Sequence, residues 1–135
     1  MPEKTTVKRA RADLRAGKSP TTAAGEFVRE EMEHIRRGKH GARSPEQAIA
    51  IGLSKARRAG VPLKPPKKGQ AKKSTRKAAR RDYEVGQGKR KKSTPSSKRS
   101  RAMTKRLKRE GRTAASHSSL SRHAKRVARK RRTKS

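Results

Sequence analysis

The sequence predicts a mainly α protein with no strands: a small helical hairpin or three-helix N-terminal module at 1–60, a Pro/Lys-rich linker at 61–73, and a long basic C-terminal tail at 74–135, largely disordered or conditionally helical. Three observations predict it. Apolar residues recur at helical spacing mainly in the first sixty positions. Lys and Arg number 43 against 10 Asp and Glu, a net charge of +33, split as 14 basic and 7 acidic residues in 1–60 but 29 and 3 in 61–135. Only 27% of the chain is apolar, with one Phe, one Tyr and no Trp, too little to bury a large core in 135 residues.

The first helix is short. Thr5 or Thr6 caps it, Val7, Ala10 and Leu14 form a thin stripe, and Gly17 ends it. The second is stronger: Ser19 is the N-cap, Pro20 opens the first turn, and Ala24, Phe27, Val28, Met32 and Ile35 share one face. Glu26, Glu30 and Glu33 line another face with Arg37, and Gly38 stops the helix. Glu31 breaks the pattern by pointing into the apolar sector, either at its edge or paired with an unidentified base. The third helix opens on the capping box Ser44-Pro45-Glu46-Gln47 and stops at Gly60, with Pro62 beyond. Its small residues Ala48, Gly52 and Ala56 let another helix approach, so helices two and three read as a hairpin closed by the loop 38–43.

At Val61 the composition shifts to VPLKPPKKGQAKKS, read as a linker. Three basic stretches follow, Ser74–Val85, Ser97–Glu110 and Ser118–Arg132, each compatible with a helix. Two or three apolar residues per stretch supply about 5 kcal/mol of burial. Ordering the backbone costs ~1–2 kcal/mol per residue, so these stretches are expected to fold on a partner.

A polycation of this density calls for a polyanion, and nucleic acid is the commonest one. No run of apolar residues is long enough to span a bilayer, and the N-terminus lacks the apolar stretch of a signal peptide. The basic clusters surround a helix instead of facing a bulky apolar stripe, which disfavours a membrane surface. With Phe27 and Tyr83 as the only aromatics, base stacking on single strands is disfavoured too. The reading is a non-enzymatic nucleic-acid-binding protein of the nucleoid type. It neutralises DNA phosphates with little sequence specificity through Lys105, Arg106, Lys108, Arg109, Lys125, Arg126, Arg129, Lys130, Arg131 and Arg132.

Lys39, His40 and Arg43 are secondary candidates. They sit in a GxxG loop before a helix N-terminus, where glycine lets backbone approach an anion, although a tight helix–helix turn explains the same residues. RNA or ribosome binding is the alternative partner. A second alternative is an adaptor whose face of Phe27, Val28, Ile49 and Leu53 binds a protein.

No cofactor, small-molecule substrate or metal site is expected. Cysteine is absent, and His34, His40, His117 and His123 form neither an HExxH nor an i, i+4 pair. Nor is there a nucleophile motif or a Walker sequence. Thr94-Pro95-Ser96-Ser97-Lys98 is a candidate phospho-acceptor segment, and the stripe Glu26, Glu30, Glu33 a candidate surface for the tail to fold back on.

The stretch GEFVREEMEHIRRGKHGARSPEQAIAIGLSKARRAG, Gly25–Gly60, resembles a module of a family of small, basic, uncharacterised bacterial proteins, through the GKHGARS loop and the AIAIGLSKARRAG helix together. No activity, cofactor or catalytic residue attaches to that family, so the resemblance transfers no site. It implies a bacterial origin and a cytoplasmic, nucleoid-associated location. The tail is similar in composition alone to linker-histone tails and Lys-rich nucleoid proteins.

Overall fold

Helix stop signals do much to set the architecture. Gly17, Gly38 and Gly60 all take positive φ, at 81°, 79° and 103°, which an L side chain adopts only with strain. The computed structural model describes residues 3–92 and 96–133. Among them the helices are α1 (Lys4–Arg15), α2 (Pro20–Arg36), α3 (Pro45–Arg58), α4 (Lys73–Gly86), α5 (Ser97–Arg109) and α6 (His117–Thr133), with a 3₁₀ turn at Thr113–Ala115. No strand occurs among the described residues; Lys68 and Ala71 form an isolated bridge. Thr94 and Pro95 of the candidate phospho-acceptor segment lie outside them.

The mainly helical class holds, but the expectation of a long disordered tail does not: α4, α5 and α6 occupy almost the spans their caps suggested. The chain divides into two compact units, Met1–Glu30 with Ala50–Thr94, and Glu31–Ile49 with Pro95–Ser135. α2 and α3 each give residues to both units.

The first unit has an apolar core. Ala10, Ala23, Ala24, Phe27, Ala56 and Val61 are buried together, with Val7, Leu14, Leu53, Ala59 and Leu63 packed around them. Val61 and Leu63 fall in the segment read as a linker, so its beginning is core instead. Arg57 fastens it: Nε donates to the Leu63 carbonyl at 3.2 Å and an Nη to that of Lys64 at 3.3 Å. Burial lowers the Arg57 pKa, opposed by the charge of Asp82. α2 and α3 meet where a Cβ on Gly52 would lie 2.7 Å from the Cα of Val28, so the small residue does permit the close approach.

The start of α1 is capped from a distance. Glu3 holds the N-cap position and makes no side-chain cap. Glu30 Oε1 accepts from the Glu3 N–H at 2.6 Å and from the Thr6 hydroxyl at 3.2 Å. Thr6 is therefore inside the helix and buried, not its cap. Glu30 is only 4% exposed, so the glutamate stripe proposed for tail fold-back lacks its middle member.

α4 joins this unit without a large apolar face. Ala79 is buried, Asp82 accepts from the Ser54 hydroxyl at 2.6 Å and pairs with Arg58 at 3.6 Å, and the Gln87 amide donates to the Gly60 carbonyl. At Gly86 a Cβ would collide with the Arg57 carbonyl.

In the second unit, the large apolar residues that are buried, among the described ones, are Met32 and Ile35. Ala42, Ala48, Ala114, Ala115 and Ser119 are buried there as well. Backbone hydrogen bonds do much of the joining: Gly41 N–H donates to the Leu107 carbonyl at 2.8 Å and Ala42 N–H to that of Gly111 at 3.0 Å. A Cβ on Gly41 would fall on the Glu110 carbonyl. Arg36 Nε donates to the Ala115 carbonyl at 2.9 Å. Large side chains alone therefore underestimate the tail's stabilisation, because alanine burial and satisfied carbonyls contribute alongside them.

Candidate nucleic-acid interface

α5 is built by local chemistry. Ser96 Oγ accepts from the Arg99 N–H at 3.2 Å as N-cap, Thr104 bonds back to the Ser100 carbonyl, and Arg106, Lys108 and Arg109 complement the C-terminal dipole. None of its residues is buried, and Met103 is 52% exposed. Cations surround it. One groove of about 550 Å³ is bordered by Arg99, Met103, Lys105, Arg106 and Arg109. Another, of about 460 Å³, runs beside Arg101, Thr104, Lys105 and Lys108.

α6 begins at the cap Ser116, whose Oγ accepts from the Ser119 N–H at 3.2 Å, and carries Lys130, Arg131 and Arg132 in its last turn. Glu46 holds the helix from one side. Its Oε1 lies 2.9 Å from an Arg126 Nη and 3.1 Å from His123 Nδ1. The Glu46 carboxyl titrates below its ordinary range, because its own backbone N–H hydrogen-bonds it, with His123 and Arg126 adding to the effect against a small desolvation cost.

Lys105, Arg106, Lys108 and Arg109 on α5 are all exposed, as are Lys125, Arg126, Arg129, Lys130, Arg131 and Arg132 on α6. Arg126 is already committed to Glu46. In the loop, Lys39 and Arg43 are exposed, and the Arg43 N–H donates to Gln47 Oε1 at 2.7 Å. His40 is turned inward: Nδ1 lies 2.9 Å from the Gly41 carbonyl and Nε2 lies 3.2 Å from Glu31 Oε2. The amides of Gly41 and Ala42 are spent on carbonyls, so the GxxG geometry favours the turn over an anion cradle.

The face offered for an adaptor role is closed at its centre. Phe27 is fully buried, Leu53 packs on the same core, and Val28 abuts Gly52. Two arrangements escaped sequence reasoning. Lys4, Lys8, Arg11 and Arg15 fall on one face of α1 and border a groove of about 390 Å³. Their spacing of three and four residues was the available signal. Glu31, His34 and His40 also come together, with one ligand atom from each within 4.8 Å of the others. Neither an HExxH nor an i, i+4 histidine pair would reveal that cluster.

No protein-family model, no curated protein and no solved structure matches this chain. No helix among the described residues is long and apolar enough to cross a membrane.

Proposed function

We propose that this protein is a non-enzymatic nucleic-acid-binding protein of bacterial nucleoid type that neutralises DNA phosphates with little sequence preference. The observation that carries the reading is the exposure of all ten candidate cations of α5 and α6 on helices that display Lys and Arg to solvent. A preformed helix presents cations at fixed spacing, so less ordering entropy is lost on binding than for a flexible tail. The α1 stripe offers a further set of phosphate contacts.

Contact with about ten phosphates gives a log–log salt slope of about −9 on duplex DNA. Fluorescence anisotropy of the full chain on a labelled duplex, across a salt series, measures it. Affinity that barely changes with salt refutes the reading. Competition at fixed salt between duplex DNA and structured RNA distinguishes the DNA reading from the ribosomal one.

A further inference from the structure

We propose that Glu31, His34 and His40 bind a single divalent transition-metal ion of the Zn²⁺ class. Glu31 and His34 stand three residues apart on α2, and so share a face. After α2, Gly38 at φ 79° turns the chain, and His40 returns to the same place. Two imidazoles and one carboxylate are a donor set that suits zinc and leaves a fourth position for water. A tetrahedral ion with bonds of ~2.0–2.1 Å separates its ligand atoms by about 3.4 Å. His40 Nε2 and Glu31 Oε2 stand 3.2 Å apart, and all three ligand atoms lie within 4.8 Å, so a small side-chain rotation closes the set.

The hydrogen bonding of His40 also points to a cation here. The Gly41 carbonyl 2.9 Å from Nδ1 can only accept, so Nδ1 carries a hydrogen. In a neutral ring Nε2 is then a lone pair, and it faces a carboxylate oxygen. An ion at this place would take that lone pair together with the carboxylate oxygen. An imidazole that donates its other N–H to a backbone carbonyl is the arrangement ligating histidines adopt. Glu31 has no exposed side-chain surface, so its carboxylate is shielded from bulk water at this position.

The net charge of +33 opposes a dication at long range, but salt screens that repulsion beyond ~8 Å while the three ligands act at contact. The same charge suppresses adsorption elsewhere on the surface.

The test uses the full chain, stripped with a chelator and kept in phosphate-free buffer. Zn²⁺ is titrated in competition with a chromophoric chelator, and Co²⁺ is added separately as an optical probe. The expected result is one equivalent of Zn²⁺ and the intense visible bands of four-coordinate Co²⁺. His34→Ala and His40→Ala should each weaken binding by at least about tenfold, the level seen for losing even outer-shell partners. His117→Ala should leave it unchanged. If a variant loses its helical circular dichroism, the wild-type Co²⁺ spectrum still decides the matter. No uptake, Co²⁺ bands of an octahedral aqua ion, or one equivalent indifferent to both substitutions overturns the proposal and leaves a proton as the bridge between Glu31 and His40.

Discussion

The two units hold together by different means. In the first, Phe27 sits among alanines, Val61 and the side chains around them, and ordinary apolar burial supplies the cohesion. In the second, Ile35 and Met32 are the large apolar residues buried, and carbonyl groups near the ends of α5 and of the 3₁₀ turn are tied by Gly41, Ala42 and Arg36. Yet both recruit a basic helix from the later part of the chain. α4 is drawn in by Asp82 and by contact at Gly86, and α6 is held by Glu46. A lysine- and arginine-rich segment thus needs only a few acids and a few glycines to be ordered, whether or not a large apolar core lies beneath it.

The sharpest way to break the comparison is to attack each unit by its own means. Phe27→Ala should have the largest effect, a loss of about 3–5 kcal/mol in a denaturation series. It should strip amide protection from α1 and α4 before α5 and α6. Gly41→Ala should act oppositely, since its Cβ collides with the Glu110 carbonyl. A loss of about 3 kcal/mol, seen as faster hydrogen exchange in α5 and α6 with α4 unchanged, is expected. If both variants deprotect every helix alike, the two units are a single cooperative body and the contrast is void.

Arg57→Met should cost about 2 kcal/mol, because the carbonyls of Leu63 and Lys64 lose a charged donor. Exchange at Val61 and Leu63 reports it, and unchanged protection there would remove Arg57 from its role. The smallest effect belongs to Glu46. Its carboxyl pKa is lowered from 4.5 in the folded state, so its stabilisation is complete above that value and fades as pH falls through the lowered one. For a pair this exposed the effect is under about 1 kcal/mol. An acid titration of α6 amide exchange should show it, and Glu46→Gln should abolish the acid step.

Much of the helical layout was legible in the residues. The caps Ser19 and Ser44, the stops Gly17, Gly38 and Gly60, and the gap at Gly52 all act as their chemistry predicts. The order of the tail was not legible, because a search for large apolar stripes passes over Ala79, Ala114 and Ala115. Its clue lay in the rare acids: Asp82, directly after Arg80 and Arg81, marks the side of α4 that docks. Glu31 could not be matched to His40 by helical spacing, since the partner arrives from a loop. The ten cations of α5 and α6 could be read directly, because exposed charge needs no tertiary contact to be recognised.

The anchoring of Gly41 and Ala42 to carbonyls some seventy positions further on has a bearing on synthesis. A ribosome finishes every helix of the first unit once α4 has emerged. The second unit must wait for α5 and the residues beyond it, several seconds later at ~5–20 residues per second. Through that interval the loop amides have only water to bond, while Phe27 and its neighbours can already close. The nascent chain is thus a folded head still trailing an unfinished half, with the more densely charged helices α5 and α6 translated after that head.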